Sequence, residues 1–177
     1  MEEADPHQYL RQATCIHAAS VVNHAISTMA MQLNDDYADE PPIVICVMGG
    51  GVYFTGQLLA KLDFLLTFDY VQASRYQGTD GKQLIWSVKP KKNIQHKRVL
   101  LLDDILDEGV TLLEIVRECQ LLGAKEIKTA VLVDKVLNHA KPIKADYVGL
   151  SVPNKYVFGC GMDVYGYWRN LPAIYAL

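Results

Sequence analysis

Residues 99–112, VLLLDDILDEGVTL, run four apolar side chains straight into Asp103 and Asp104, with Asp107, Glu108, Gly109 and Thr111 close behind. The end of a buried strand facing the start of a helix is where open α/β folds bind ligands. Such a helix end is electropositive and normally draws anions. Acids crowded there need a second reason. Part of the cluster has a structural use: acids in a first helical turn gain about 0.3–1 kcal/mol each. Thr111-Leu112-Leu113-Glu114 also has the spacing of a capping box, with Thr111 as the cap. Asp103 and Asp104 stay unexplained. Adjacent strand residues point to opposite faces, so one of the two must face a ligand crevice. Carboxylates packed this tightly repel one another, which raises at least one pKa. A division of labour resolves the pattern. Amides around Gly109–Thr111 hold a phosphate, while the upstream acids accept sugar hydroxyls, meet a cation or take a proton. A ligand carrying phosphate, ribose and a metal ion meets every requirement.

A second glycine-bearing turn, VMGGGVYF at residues 47–54, offers two readings. Three consecutive glycines favour close backbone approach to a ligand over a simple turn of positive φ. Gly49 and Gly51 also match the first two positions of a dinucleotide fingerprint, and Asp69 lies near where its ribose-binding carboxylate is expected. Phe54 stands at the third glycine position, where close helix–strand packing leaves no room for it. A nicotinamide-dependent oxidoreductase stays open as the alternative.

These residues need a frame to hold them. IVICVM (43–48), FLLTFDYVQAS (64–74), LIWSV (84–88), RVLLLDD (98–104), IKTAVLVDK (127–135), DYVGLSV (146–152) and YVFGCGMD (156–163) read as strands. Residues 7–33 read as one long helix, with Leu10, Ala13, Ile16, Val21, Ile26 and Met29 at helical spacing. A short helix follows Gly51. Another starts at Thr111, with Leu112, Ile115, Val116, Cys119 and Leu122 on one face and Gly123 beyond its end. Nearly all-apolar strands alternating with helices predict an α/β fold: a mostly parallel twisted sheet flanked by helices.

The chain has 177 residues, half of them hydrophobic, and a formal net charge of −3. That length suits one domain over residues 1–177. The charge argues against a nucleic-acid binder, and the basic stretch KPKKNIQHKR (89–98) reads as a solvated connection. Cys15, Cys46, Cys119 and Cys160 show no C-x-x-C spacing, so neither a zinc site nor a disulfide framework is expected. The acidic N-terminus lacks the apolar core of a secretory signal, and no run nears the roughly 18 apolar residues of a membrane span. The expectation is a cytoplasmic protein.

VLLLDDILDEGVTL resembles the signature of the type I phosphoribosyltransferases. VICVMGGGVYF is similar to their pyrophosphate loop, and SRYQGT to their mobile loop. VLVDK and DYVGLSVPNKYVFGCGMD, followed by YWR, resemble the base-recognition region of the 6-oxopurine branch. The resemblance covers nearly everything beyond residue 40 and implies a small purine-recognition subdomain built from the chain termini. It implies transfer of 5-phosphoribosyl from phosphoribosyl pyrophosphate (PRPP) to N9 of hypoxanthine or guanine in purine salvage, with Mg2+. By the same resemblance Asp103 and Asp104 bind the ribose hydroxyls beside the metal. Asp107 is the general base at purine N7, and Glu108, Gly109, Val110 and Thr111 form the 5′-phosphate loop.

Many members carry Thr where this chain has Glu108. A carboxylate there would repel phosphate, so the side chain is expected to turn outward and only its amide to serve. Met48, Gly49 and Gly50 match the pyrophosphate loop, which in the family can hold a cis peptide. Arg169 matches a pyrophosphate contact, and Asp163 a metal ligand. Lys135 matches the donor to the 6-oxo group, Tyr156 the ring stacked on the base, and Val157 a main-chain contact to it. Ser74 and Tyr76 sit where a Ser-Tyr pair of the lid is expected, but Arg75 separates them. The resemblance also implies a homodimer or homotetramer. A non-catalytic PRPP sensor on the same fold is a further alternative, against which Asp107, Lys135 and Asp163 argue.

Overall fold

The computed structural model describes residues 5–75 and 84–177. Six strands form the main sheet: β2 (Ile43–Met48), β3 (Thr67–Arg75), β4 (Leu84–Val88), β5 (Arg98–Leu106), β6 (Glu126–Lys135) and β7 (Tyr147–Val152). Their order is β4-β3-β2-β5-β6-β7, parallel throughout except for β4 at one edge. Strand alternation gives each face its own core. Val44, Leu100, Leu102 and Leu132 face α2 (Ala19–Tyr37) and α3 (Gly51–Leu59). Ile45, Val99, Leu101 and Val131 face α4 (Val110–Leu121), which contributes Leu112, Ile115 and Cys119. Covering both faces explains why the strands are apolar without interruption. No helix among the described residues is long and apolar enough to cross a membrane.

The connections decide where a ligand can go. From β2 the chain passes through α3 to β3 on one side, and from β5 through α4 to β6 on the other. β2 and β5 are neighbours, so the order reverses between them and a crevice opens at their carboxyl ends. Met48 to Gly51 rise from one of these strands and Asp103 to Thr111 end the other. Both chemistry-bearing turns therefore meet at one switch point.

A second, antiparallel sheet runs β1-β9-β8, from β1 (Thr14–His17), β9 (Ile174–Ala176) and β8 (Val157–Phe158). The single helix expected over residues 7–33 is thus two: α1 (Pro6–Gln12) and α2, with β1 between them. Helical spacing of Ala13 and Ile16 loses here to pairing of Thr14 and Cys15 with Ala176 and Tyr175, a gain invisible to local periodicity. His17 fixes the exit, its Nε2 lying 2.8 Å from the Ser151 carbonyl. The strand read over 156–163 shortens to β8. Beyond it Gly159, Cys160 and Gly161 take φ of 96°, 53° and 104° and turn the chain.

Candidate active site

Two adjoining clefts open at the switch point. One, of about 240 Å3, lies between Met48, Gly50 and the stretch from Asp103 to Leu112. The other, of about 280 Å3, adds Lys135, Tyr156, Val157, Met162 and Asp163. Asp104, Ile105 and Asp107 line both. Asp103 and Asp104 sit on the last turns of β5, held by amides: Asp104 N–H donates to Asp103 Oδ1 (3.0 Å) and Ile105 N–H to Asp104 Oδ1 (2.9 Å). Burial, reinforced by the charge of Asp104, pushes the Asp103 carboxyl well above the usual carboxylate range. Burial also raises Asp104, against hydrogen bonds and the Arg169 charge that pull it down. Mutual repulsion operates as expected, but burial is the larger cause.

Glycines make the approach possible. A Cβ on Gly50 would lie 1.7 Å from Asp104 Oδ2, and one on Gly51 would lie 3.0 Å from the Leu102 carbonyl. None of Gly49, Gly50 and Gly51 has positive φ, so a turn conformation is not their purpose. The Met48–Gly49 peptide is cis. Gly161 packs from the other side; a Cβ there would lie 2.0 Å from the Gly50 carbonyl oxygen. The dinucleotide pattern finds no support. Phe54 is fully buried in the core, and Asp69 is buried and accepts the amides of Tyr70, Lys91 and Lys92 at 2.7–2.8 Å.

Lys135 ends β6 with its side chain 11% exposed, and its Nζ donates to Asp107 Oδ2 at 2.7 Å. The Glu108 carboxylate turns outward onto His139 Nε2 (3.0 Å). Thr111 does not cap α4. The cap is Gly109, at φ 80°, and Thr111 follows inside the first turn with the Gly109 carbonyl bonded to the Leu113 amide. Left-handed backbone is open to glycine, which here replaces a side-chain cap. Asp163 reaches the second cleft already engaged: it accepts the Gly166 amide (2.7 Å) and pairs with Arg169, which also donates to the Gly161 carbonyl (2.7 Å). Tyr156 is half-exposed and stacked on Tyr165, centroids 6.1 Å apart at 11°.

The structure thus gathers Met48, Gly50, Asp103, Asp104, Asp107, Glu108, Gly109, Val110, Thr111, Lys135, Tyr156, Val157 and Asp163 around one crevice. Gly49 adjoins it without lining it, and Arg169 reaches it through Asp163. Ser74 lies on β3, while Tyr76 falls outside the described residues. Ile105 and Met162 also line the crevice and escaped sequence reading. Their signal was weak: one apolar residue beside each acid motif, indistinguishable from core.

Over residues 12–165 the chain matches the phosphoribosyl transferase domain. It is 36% identical over 155 residues to the hypoxanthine-guanine-xanthine phosphoribosyltransferase of Tritrichomonas foetus, covering 86% of this chain and 85% of that one. Identity is 35% over 150 residues to the hypoxanthine-guanine phosphoribosyltransferase of Streptococcus thermophilus, covering 82% of each. The solved hypoxanthine phosphoribosyltransferase of Staphylococcus aureus superposes with a TM-score of 0.90 at 26% identity, covering 99% of this chain and 96% of that one. The nicotinamide alternative falls with this agreement in sequence and fold. The chain belongs to the phosphoribosyltransferase family.

Proposed function

We propose that this chain is a purine-salvage enzyme that transfers 5-phosphoribosyl from PRPP to N9 of hypoxanthine or guanine, giving IMP or GMP and pyrophosphate. The observation that carries it is the Lys135–Asp107 pair, a donor and an acceptor 2.7 Å apart on the cleft wall. A 6-oxopurine offers the complementary edge, with its oxygen as acceptor beside an N7 that must lose a proton when N9 forms its glycosidic bond. Lys135 donates to the 6-oxo group, Asp107 takes the N7 proton, Tyr156 stacks on the ring and Val157 reads it through the main chain. Asp103 and Asp104 accept the ribose hydroxyls. Amides from Glu108 to Thr111, at the start of α4, hold the 5′-phosphate. Met48, Gly49, Gly50 and Arg169 receive the pyrophosphate, whose developing charge the guanidinium stabilises. Ser74 and Tyr76 belong to a lid that keeps water from the cationic ribose. A PRPP sensor would have no use for the donor–acceptor pair.

Magnesium suits this donor set. Asp103 and Asp104 are adjacent oxygen donors, and neither joins any ion pair among the described residues. Magnesium takes one or two carboxylates from a protein and completes its octahedron with water and substrate oxygens. Among the described residues no group of three or more His, Cys, Asp or Glu is placed to hold a metal ion. Asp103 and Asp104 would hold the ion, with Asp163, which lines the second cleft with Asp104, as a further oxygen donor. Bound there, it would neutralise charge on the leaving pyrophosphate.

Residues 1–177 act as one domain in this reading, since both sheets supply walls of the same crevice. The reading includes a homodimer or homotetramer. An apolar groove of about 230 Å3 beside α3, with Val52 and Phe68 half-exposed along it, gives a second copy a surface to cover. Four unpaired thiols suit the reducing cytoplasm. The test is a magnesium-dependent assay of PRPP with hypoxanthine, guanine, xanthine and adenine. Hypoxanthine and guanine should turn over. Adenine, which sets an amino group against Lys135, should be disfavoured by as much as ~10⁴-fold. Equal use of adenine would remove Lys135 from its role, and no turnover of PRPP would remove the whole reading.

A further inference from the structure

Four consecutive residues, from the last of β5 to the cap of α4, each meet a partner in the stretch that closes β6 and follows it. The Leu106 carbonyl accepts from Lys141 Nζ at 2.6 Å. Asp107 pairs with Lys135 (2.7 Å) and Glu108 with His139 (3.0 Å). The cap residue Gly109 is backed by Ile143 and Pro142, which a Cβ would meet at 3.1 and 3.5 Å. Lys141 is the least expected member. Its side chain is only 11% exposed, and it bridges Leu106 to the carboxylate of Asp134, the residue paired with Leu106 across the ladder. An ammonium is costly to bury unless its donors are used, so this placement constrains whatever it binds.

We propose that residues 135–143 form a strap that fixes the phosphate loop in its binding shape, with Lys141 as its positioning residue. The inference rests on the reading of residues 108–111 as the 5′-phosphate site. Amides aimed in advance at an anion bind it without an ordering cost, and a loop free to wander loses that gain. Lys141 holds the point where strand becomes loop. His139 holds the Glu108 carboxylate away from a phosphate that its charge would repel. Both effects fall on the ribose-phosphate substrate. Neither residue lines the cleft that holds Lys135 and Tyr156.

The test varies PRPP and hypoxanthine separately and adds inorganic phosphate as a competing ligand. Lys141→Met keeps the side-chain volume while removing the donor. It should raise the KM for PRPP and the inhibition constant of phosphate about tenfold, the weight of a hydrogen bond from a charged group. The KM for hypoxanthine should stay within about twofold. His139→Ala changes an exposed pair that folding does not depend on, so it decides the matter even if the Lys141 variant fails to fold. It should raise the KM for PRPP about threefold, and Glu108→Gln in the same chain should reverse that. Wild-type values for PRPP and phosphate in His139→Ala, or an equal rise in both substrates' KM in Lys141→Met, would overturn the strap. Absence of PRPP turnover in the unaltered chain would overturn the phosphate-site reading beneath it, and the strap with it.

Discussion

At the level of single residues, Asp107 carries the heaviest assignment. Its carboxylate is half-exposed and tied to Lys135, so in the proposed reaction it would meet the base already aligned with the donor beside it. Asp107→Asn keeps the shape and loses the proton acceptor. The expected result is a kcat lowered by about 10²–10⁴-fold, measured with saturating PRPP and hypoxanthine. Unchanged turnover would take Asp107 out of the reaction. The acids themselves were legible in the sequence, because a strand that ends in DDILDE has no packing reason to do so. Where each side chain turns was not. The outward course of Glu108 was foreseen only as a way to escape phosphate. Its partner His139 lies 31 positions away, and nothing local announces it. Arg169 likewise reads as a phosphate contact, yet here it is shared with Asp163 and the Gly161 carbonyl.

Among elements, the parallel strands and their helices followed from apolar runs and glycine punctuation, because burial on both faces leaves a signal that no surface strand imitates. β1 hides behind a helical pattern for the opposite reason: its pairing lies with residues 174–176, and none of its own four residues is buried. The start of α4 was misassigned because a Thr-x-x-Glu spacing fits a capping box even where a left-handed glycine does the capping. The turn after β2 yields a prediction at this scale. Gly50→Ala would drive a methyl into the Asp104 carboxylate and displace it. A misplacement near 1 Å can cost about 10²-fold, and kcat/KM for PRPP should fall by at least about that much. Gly56→Ala in α3 is the control, since a Cβ there meets nothing within 4 Å. Gly56 lines the groove offered to a second copy, so the oligomeric state is measured alongside; with that unchanged, kcat/KM should hold and the helix should gain about 0.5–1 kcal/mol in thermal unfolding.

The molecule as a whole bears the cost of its acids. Asp103 and Asp104 have carboxyl pKa values raised by burial, so the folded chain binds more protons than the unfolded chain above the ordinary carboxylate range. Stability from this pair therefore falls as pH rises through that window and returns as pH is lowered. Asp5 and Glu40, whose values are lowered by Arg11 and Lys125, act oppositely and lose their contribution as pH falls. Asp103→Asn keeps the acceptor for the Asp104 amide and removes one buried ionisable group. Its Tm at pH 7 without ligands should exceed that of the unaltered chain, because burial opposes ionisation of the acid it replaces. The difference should shrink toward pH 4, and a lower Tm at pH 7 would contradict the account. The small sheet has an effect on assembly. Its middle strand is residues 174–176, and one neighbour is residues 14–17, far earlier in the chain. On a ribosome, which delivers earlier residues first, residues 14–17 must wait for residues 174–176 before they can pair with them. The acids at the switch point can be in place early, and the small sheet that walls the second cleft closes after them.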